Sequence, residues 1–169
     1  IPLIALQYHD VELRITWGSS APTDAEVYAQ FYHLDTDERT VLSSEPQNML
    51  ITQTQKSVAS AAKTQEINFN HPVKYLVAVN DMTTAKVKLQ INGTDVTDSK
   101  AVRPHFTSTP VYYHTQAADT TATTTFLQPF CIDTAKLQPT GSLNFSRLDS
   151  ARLVSDDTTW DNDVYGVNY

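Results

Sequence analysis

The chain has 169 residues, of which 40% are hydrophobic and 18% are charged, the balance of a folded globular protein of about one domain rather than of a disordered or fibrous one. A formal net charge of -7 disfavours a nucleic-acid-binding surface, because affinity for phosphate comes mainly from clustered Lys and Arg. The single cysteine, Cys131, excludes a disulfide within the chain, and apolar runs such as residues 75–79 are far shorter than the ~20 residues that cross a bilayer.

Both ends of the chain lie in strand-like sequence. "IPLIALQYHDVELRI" opens inside such a pattern, and "DVYGVNY" at the other end is again a run of strand formers. Natural termini more often lie in polar, poorly ordered residues. We therefore expect the chain to be a fragment of a longer polypeptide.

The first internal strand is predicted in "EVYAQFYHL", where Val27, Ala29 and Phe31 share one face. The charged residues 35–39 follow as a polar turn. Residues 44–47, "SEPQ", are a candidate for one short helical turn, because proline is tolerated near a helix start. No longer helix is predicted, since β-branched and aromatic residues dominate the periodic segments.

A second strand is predicted in "VKYLVAV", whose alternate residues Val73, Tyr75, Val77 and Val79 lie on one face. It follows the His-Pro pair at 71–72, and proline can start a strand but not occupy a central one. Shorter candidates for strands are "EINFN", "FLQPFCI" and "SLNFSRL".

The clearest strand is "KVKLQING". Val87, Leu89 and Ile91 point one way, and the intervening lysines and glutamine point the other, which is typical of a half-buried antiparallel strand. The strand runs into Asn92-Gly93, a pair that tolerates the positive backbone angles of a type I′ hairpin turn. A hairpin is therefore predicted here.

Polar breaks separate these strands at residues 18–24, 35–39, 81–84, 95–100 and 117–125. Each break is too short to be a domain linker, so we predict one domain over residues 1–169. About eight short strands joined by turns indicate a sandwich or barrel, and eight strands in two sheets is the number found in a jelly roll. The predicted fold is all-β, an eight-stranded antiparallel jelly-roll sandwich.

The stretch "LQPTGSLNFSRLDSARL" is rich enough in polar residues to suggest an active site, but its pattern predicts shape. Residues 139–141 fit a type II turn with glycine near the position of positive φ. Leu143 and Phe145 then face the core, and a bend follows because the next leucines change parity. Arg147 and Asp149 fall near one face, where they are candidates for an exposed ion pair.

One motif has the residue types of a metal site. His33-Leu34-Asp35 with His105 or His114 has the residue types of the two-histidine, one-carboxylate iron site of jelly-roll oxygenases. Asp35 is more simply explained as the start of a charged turn, and the chain has no H-x-H pair of the kind a cupin-like site needs. The chain also has no G-x-S-x-G elbow and no phosphate-binding loop, which disfavours nucleotide binding. A jelly-roll oxygenase that uses His33 and Asp35 stays an alternative.

Two features of the sequence relate to carbohydrate: aromatic residues that could bind a sugar, and sequons that could carry a glycan. Trp17, Trp160 and eight tyrosines are compatible with a lectin-like carbohydrate-binding β-sandwich, since aromatic rings stack on sugars, although aromatic residues also fill cores. Two glycosylation sequons occur, at residues 92–94 and 144–146. A protein assembled in the cytoplasm would not meet the enzyme that reads them, and Asn92 is already explained as a turn residue.

Several motifs, in one order, resemble the major capsid protein family of the large icosahedral double-stranded DNA viruses, which includes the chlorella viruses and iridoviruses. "IPLIALQYHDVEL" is similar to the family's entry into its second jelly roll, "HLDTDERT" to the next charged turn and "NFNHPVKYL" to the strand that follows. "KVKLQING" matches a strand and hairpin, "LQPTGSLNFSRLDSA" the C-terminal signature and "DVYGVNY" the start of the last strand. These blocks run from Ile1 to Tyr169, whereas residues 101–133 keep only a loose likeness.

The resemblance implies the second half of a double jelly-roll chain, preceded by a first jelly roll and followed by a Gly-rich tail. It also implies a homotrimer whose copies tile as pseudo-hexagonal capsomers into an outer icosahedral shell. The implied partners are the chain itself, neighbouring capsomers and minor capsid proteins, with glycans attached in some members. Neither direct nucleic-acid contact nor membrane insertion is implied. The implied location is the virion, assembled in the host-cell cytoplasm. The implied role is structural rather than enzymatic, with no catalytic residue, no cofactor and no metal.

Overall fold

The structure is a computed structural model that describes residues 1–6, 8–80, 82, 84–115 and 124–169. The predicted break at 81–84 lies partly outside these residues, and the threonine-rich break at 117–125 lies mostly outside them. The described chain divides into two compact units, Ile1–Met49 and Leu50–Tyr169. None of the helices in the described ranges has the length and apolarity to cross a membrane.

The first unit contains a short 3-10 helix, Leu3–Ala5, and one α-helix, α1, Thr36–Ser44. The carboxylate of Asp35 caps α1 by accepting a hydrogen bond of 2.7 Å from the next backbone N–H. Asp37 and Glu38 lie in the first turn, where the helix dipole favours negative charge. The predicted charged turn at residues 35–39 is therefore wrong, because these residues begin a helix.

Two further predictions in this unit are wrong. The helical turn expected at residues 44–47 is not formed, because α1 ends there and the following backbone is extended. The strand expected in "EVYAQFYHL" is also not formed, and Val27 and Phe31 are exposed. A strand is stable only when neighbouring strands take its hydrogen bonds, and the described chain supplies no such neighbour for this segment.

The described part of the second unit consists of two antiparallel sheets, two short α-helices and one 3-10 helix. The strands are β1 Gln53–Ser57, β2 Thr64–Glu66, β3 Pro72–Val79, β4 Lys86–Ile91, β5 Thr94–Asp95, β6 Lys100–Ala101, β7 Thr125–Pro129, β8 Leu143–Asn144, β9 Ala151–Ser155 and β10 Val164–Asn168. The helices are α2 Val102–His105 and α3 Ser108–His114, neither of which the sequence pattern predicts.

Sheet A has the strand order β1, β10, β3, β7, with β8 also paired to β3, and sheet B has the order β2, β9, β4, β5, with β6 also paired to β4. All pairings are antiparallel, which confirms the predicted two-sheet architecture. The described residues form ten strands instead of eight, because β5, β6 and β8 are additional strands of only two residues.

The hairpin predicted after "KVKLQ" is confirmed. Asn92 and Gly93 have φ values of 50° and 78°, and they connect β4 to β5 with Ile91 opposite Thr94. Positive φ at both central residues is the requirement of a type I′ turn. The inward face of β4 is also as predicted, because Val87 and Leu89 are buried.

The predicted inward face of β3 needs a correction. Val167 pairs with Tyr75 but the next residue of β10 pairs with Val73, so Lys74 is the extra residue of a β-bulge. The bulge changes the parity of the strand. Val73 lies in the core, whereas after the bulge the core residues are Leu76 and Ala78. The prediction that Val73 shares one face with Tyr75, Val77 and Val79 is therefore wrong.

One hydrophobic core contains inward side chains of both sheets. Trp160 has no exposed surface and meets Phe126 edge-on, with ring centroids 5.3 Å apart. Phe106, which follows α2, stacks on Phe126 with ring centroids 4.8 Å apart. The segment around α2 therefore closes the core beside β7, whose Leu127 N–H donates to the Phe106 carbonyl at 2.7 Å.

The tight packing of Gly166 against Phe69 predicts that one added methyl group lowers the stability of the fold. A Cβ at Gly166 of β10 would lie 2.6 Å from two ring carbons of Phe69. Gly166→Ala is expected to lower the free energy of unfolding by about 1–3 kcal/mol, because the buried ring must shift. Urea unfolding measures this. Gly18→Ala is the control, since its Cβ would meet nothing within 4 Å, and equal effects of the two changes would contradict the prediction.

Candidate assembly surface

Asp35, His105 and His114, three of the candidate iron ligands, have structural contacts. Asp35 caps α1, as described. The Nδ1 atom of His114 lies 2.8 Å from the Cys131 carbonyl oxygen, and the ring of His105 packs edge-on against Phe106 at 4.8 Å. Across the described ranges, no group of three or more His, Cys, Asp or Glu side chains is placed to hold a metal ion.

The single thiol is also shielded. Cys131 is 4% exposed, and burial raises the pKa of its thiol, which disfavours the nucleophilic thiolate. The pKa of His105 is lowered, first by burial and then by the positive charge of Lys100. The burial of Cys131 therefore disfavours a nucleophilic role for the thiol.

The polar C-terminal signature holds backbone in place. The Ser146 hydroxyl accepts a hydrogen bond of 2.8 Å from the His71 N–H, and the His71 carbonyl accepts one of 3.1 Å from the Phe145 N–H. Asn144 Oδ1 accepts from the Ser146 N–H at 3.1 Å. A 3-10 helix, Phe145–Arg147, forms the bend that the change of parity predicts. The "NHP" and "NFSR" motifs thus fasten β3 to β8.

The turn within this signature depends on its glycine. Gly141 has a φ of 135°, and a Cβ there would lie 2.9 Å from the Phe130 carbonyl oxygen. The predicted need for positive φ is confirmed, although the angle is larger than the ~80° of a type II turn.

The predicted ion pair between Arg147 and Asp149 is not formed among the described residues. Instead, the N–H groups of Asp149 and Ser150 donate to Asn92 Oδ1 at 2.9 Å and 3.1 Å. The type I′ hairpin is thereby tied to the start of β9. The side-chain oxygen of this sequon asparagine is occupied by backbone, which strengthens its structural explanation.

Neither the buried Trp160 nor the rings beside one groove of the second unit offer a face on which a sugar could stack. Trp160 is completely buried. A groove of about 340 Å³ runs beside Phe69 and Phe145, but both rings are at most 5% exposed, and polar groups such as Asn68 and Asp149 form its rim. A lectin site that stacks a sugar on an aromatic ring needs an exposed ring face, which this groove lacks.

The outward side of sheet A is the most apolar exposed surface of the two sheets. Its residues alternate with the inward residues along β1, β10 and β3. We call this surface the outer face, and it comprises Thr54, Lys56, Tyr75, Val77, Val79, Tyr165 and Val167. Tyr165 is 39% exposed and lies opposite Val77, which is half-buried. Lys56 and Thr54 border this apolar centre on the edge strand.

An ion pair fixes the border of the outer face. Lys56 Nζ lies 3.0 Å from Asp163 Oδ2, while Asp163 Oδ1 accepts a hydrogen bond of 2.9 Å from the Ala59 N–H. The Ala59 hydrogen bond and then the Lys56 contact lower the pKa of Asp163. The same contact raises the pKa of Lys56. The loop after β1 is thus held to the residue that precedes β10.

The bulge residue Lys74 is buried, with 4% of its surface exposed. Its Nζ donates to the carbonyl oxygens of Thr134 and Lys136, both at 3.2 Å, and lies 5.1 Å from the ring centroid of Tyr169. A buried ammonium is tolerated only where such acceptors replace water. The lysine therefore anchors the loop that follows β7 to sheet A.

The sequence of the chain is similar to those of known viral proteins. It is 30% identical, over an alignment of 212 positions, to the major capsid protein of Pyramimonas orientalis virus, with 100% of this chain and 53% of the relative covered. The chain is a homologue of the viral major capsid proteins. The major capsid protein of Paramecium bursaria Chlorella virus 1 is 29% identical over 220 positions, covering 90% of this chain and 50% of the relative. The chain thus spans about half the length of these relatives.

Solved structures show the same fold. A quasi-atomic model of the PBCV-1 virus capsid matches with a TM-score of 0.60 and 20% identity, over 80% of this chain and 51% of that chain. The crystal structure of PBCV-1 VP54, fitted into a reconstruction of the virophage Sputnik, matches with a TM-score of 0.68 and 23% identity over the same shares. The predicted jelly-roll fold is confirmed. No protein-family model matches the chain.

The name shared by the relatives is that of a structural protein and not of an enzyme, in agreement with the predicted role. The sequence reasoning named no interface residue. The outer face could have been found only by locating the bulge at Lys74, because without it Tyr75 and Val77 are assigned to the core. No sequence signal marks that bulge.

The buried lysine generates a stability prediction. Lys74→Met keeps an apolar stem of similar length but leaves two carbonyl oxygens without their donor, so the free energy of unfolding is expected to fall by about 1–3 kcal/mol. Urea unfolding is the measurement. Lys86→Met is the control, because Lys86 is exposed at the start of β4 and should change stability by less than about 0.5 kcal/mol. A neutral Lys74→Met would show that the two hydrogen bonds contribute nothing net.

The ion pair generates a pH prediction. Because the pKa of Asp163 is lowered on folding, its charge stabilises the fold above the ordinary carboxyl pKa and loses that effect as pH falls through the lowered value. Asp163→Asn should therefore be less stable than the parent at pH 7, and the difference should shrink below about pH 4.

Unfolding in urea at several pH values tests this expectation. Asp161→Asn is the matched control, because Asp161 is exposed and forms no ion pair within the described chain. A difference for Asp163→Asn that stays constant from pH 7 to pH 3 would contradict the role of the charge.

Proposed function

We propose that this chain is the C-terminal jelly-roll half of a major capsid protein that builds the outer icosahedral shell of a large DNA virus. The observation that carries the proposal is the alignment of the entire chain with a major capsid protein at 30% identity. The fold shared with PBCV-1 capsid structures supports it. The polar motifs of the chain support a structural role as well, because their hydrogen bonds go to backbone groups of the same unit.

The proposed assembly is a homotrimer that tiles as a pseudo-hexagonal capsomer. A closed threefold ring uses one heterologous interface three times, and permanent interfaces of this kind commonly bury more than ~2,000 Å². Neighbouring capsomers and minor capsid proteins are the further proposed partners. The proposed location is the virion shell, after assembly in the cytoplasm of the infected host cell.

The outer face is the proposed contact of this half with a neighbouring copy. Tyr75, Val77, Tyr165 and Val167 give it an apolar and aromatic centre, and charge is confined to its border at Lys56. The central part of a stable interface has the same character, with aromatic residues enriched and charged ones depleted. Self-association is also what the capsid assemblies of the PBCV-1 structures support.

Light scattering of the full-length protein over a range of concentrations tests the assembly. A stable species of three times the chain mass is expected, followed by hexagonal arrays in electron micrographs. A well-folded monomer at high concentration would contradict the capsomer and reopen other roles for the fold.

A pair of variants tests the surface. Val77→Asp places a charge in the centre of the outer face and is expected to raise the dissociation constant of the trimer at least tenfold. Thr54→Asp places the same charge on the exposed border of the same face and is expected to change it less than threefold. Near-ultraviolet circular dichroism monitors folding. Trimers of equal stability in both variants would show that the outer face is not part of the interface.

A further inference from the structure

The Asn92-Gly93 turn joins two residues that can react with each other. The side-chain carboxamide of an asparagine lies within reach of the backbone nitrogen of the next residue, and an intramolecular attack is fast when the two groups meet in the right geometry. Glycine obstructs this approach least, because it has no Cβ. Each of the other seven asparagines of the chain is followed by a residue with a side chain. The sequence therefore makes Asn92 the most reactive of its asparagines.

The reaction is a deamidation whose only co-reactant is water. The Gly93 nitrogen gives its proton to solvent base and forms a bond to Asn92 Cγ. The Cγ–Nδ2 bond then breaks, and Nδ2 takes up a proton and leaves as ammonia. A five-membered succinimide ring remains, and water adds to one of its two carbonyl carbons and breaks the C–N bond there. The product at position 92 is either aspartate or isoaspartate, and because Asn92 is exposed, water reaches the site.

The folded turn fixes the Asn92 carboxamide on another segment of the chain. Its Oδ1 accepts hydrogen bonds from the N–H groups of Asp149 and Ser150 at 2.9 Å and 3.1 Å. The Asn92 N–H donates to the Ser150 carbonyl at 2.9 Å. Rotation of the carboxamide toward Gly93 would break both hydrogen bonds to Oδ1. These contacts therefore oppose ring closure.

The backbone of the turn opposes ring closure as well. Asn92 and Gly93 have φ values of 50° and 78°, as a type I′ turn requires. In the flat succinimide ring, the Gly93 nitrogen eclipses Asn92 Cβ about the Cα–C bond, and the central residues of a type I′ turn do not have that rotation. The reactive pair is present in the folded chain, but the hairpin must open before it can react.

Few contacts hold the hairpin closed. Its second strand, β5, has only two residues, and both are exposed. Val96 N–H donates to the Leu89 carbonyl at 2.9 Å, and the Asp95 carboxylate accepts from Lys88 Nζ and Gln90 Nε2 at 2.7 Å and 2.6 Å. A short exposed element with so few contacts opens locally at a lower free energy than the whole fold. Opening of this hairpin is therefore a local event.

We propose that Asn92 is a site of self-modification, which the type I′ hairpin keeps closed and which deamidates when the hairpin opens. The loss of ammonia makes the change permanent, so the product records the opening. The chemistry needs only this chain and water. The proposal therefore holds or fails independently of the proposed shell function.

The two products have different consequences for the hairpin. Aspartate keeps a side-chain oxygen that can accept from the N–H groups of Asp149 and Ser150. Isoaspartate adds one carbon to the backbone, so the connection no longer has the two-residue geometry of a type I′ turn. Chains that carry isoaspartate at position 92 are thus expected to lose the tie between the hairpin and β9.

Peptide mapping by mass spectrometry tests the proposal. It compares the rate of deamidation at Asn92 in the folded full-length protein with that in a synthetic peptide of residues 88–97, in the same neutral buffer. The folded protein is expected to react about 20-fold or more slowly, because only the open hairpin reacts. Equal rates would overturn the proposal. A faster reaction in the protein would also overturn it, because the two N–H donors would then activate the carboxamide as an oxyanion hole does.

A pair of variants tests whether local opening controls the rate. Asp95→Ala removes the carboxylate that holds Lys88 and Gln90, and it is expected to speed deamidation of the folded protein about threefold or more. Asp98→Ala removes the same charge from an exposed residue that forms no ion pair within the described chain, and it is expected to leave the rate unchanged. Equal rates in the two variants would contradict control by hairpin opening. The comparison of the unmodified protein with the peptide decides the matter even if Asp95→Ala does not fold.

Discussion

The second unit depends on the burial of alternate side chains from two antiparallel sheets against one another. Trp160 and Phe126 meet edge-on at 5.3 Å, and Val87 and Leu153 of sheet B are buried in the same core. This contact dictates which residue of each strand points inward. It also explains why β10 needs a glycine at 166, since the ring of Phe69 occupies the space where a Cβ would stand. Strand register follows from these close contacts, because a slip of one residue would turn the apolar set outward.

Polar side chains in the loops and at a β-bulge hold the strands around that core in place. Ser146 accepts from the backbone of His71, Asn92 accepts from two N–H groups before β9, and Lys74 donates to two carbonyls beyond β7. Each contact joins segments that are distant along the chain. Side chains that elsewhere build active sites are here used to satisfy backbone groups that the folded sheets would otherwise leave without partners.

A rigid sandwich with one apolar outward surface suits a shell protein. The apolar centre of the outer face lies on the central strands β10 and β3, which pack against the core on their other side. Its border is held by the Lys56–Asp163 ion pair. The first unit is different in kind, since its strand patterns have no sheet to join within the described residues. The two units thus illustrate one rule: a strand pattern becomes a strand only when a neighbour takes its hydrogen bonds.

The sequence by itself determined the β class, the type I′ hairpin at Asn92-Gly93, the strand start at Pro72 and the shape-holding role of the C-terminal signature. Those features rest on local chemistry: alternation of side chains, tolerance of positive φ and the missing N–H of proline. Only the tertiary structure decided the inward face of β3, because a bulge reverses parity without changing composition. The tertiary structure also decided that "EVYAQFYHL" forms no strand, since strand formation depends on a partner strand that local sequence cannot supply. The helices over 102–114 close the core beside β7 in a region where the pattern predicts none, because contacts such as Phe106 on Phe126 override weak propensity.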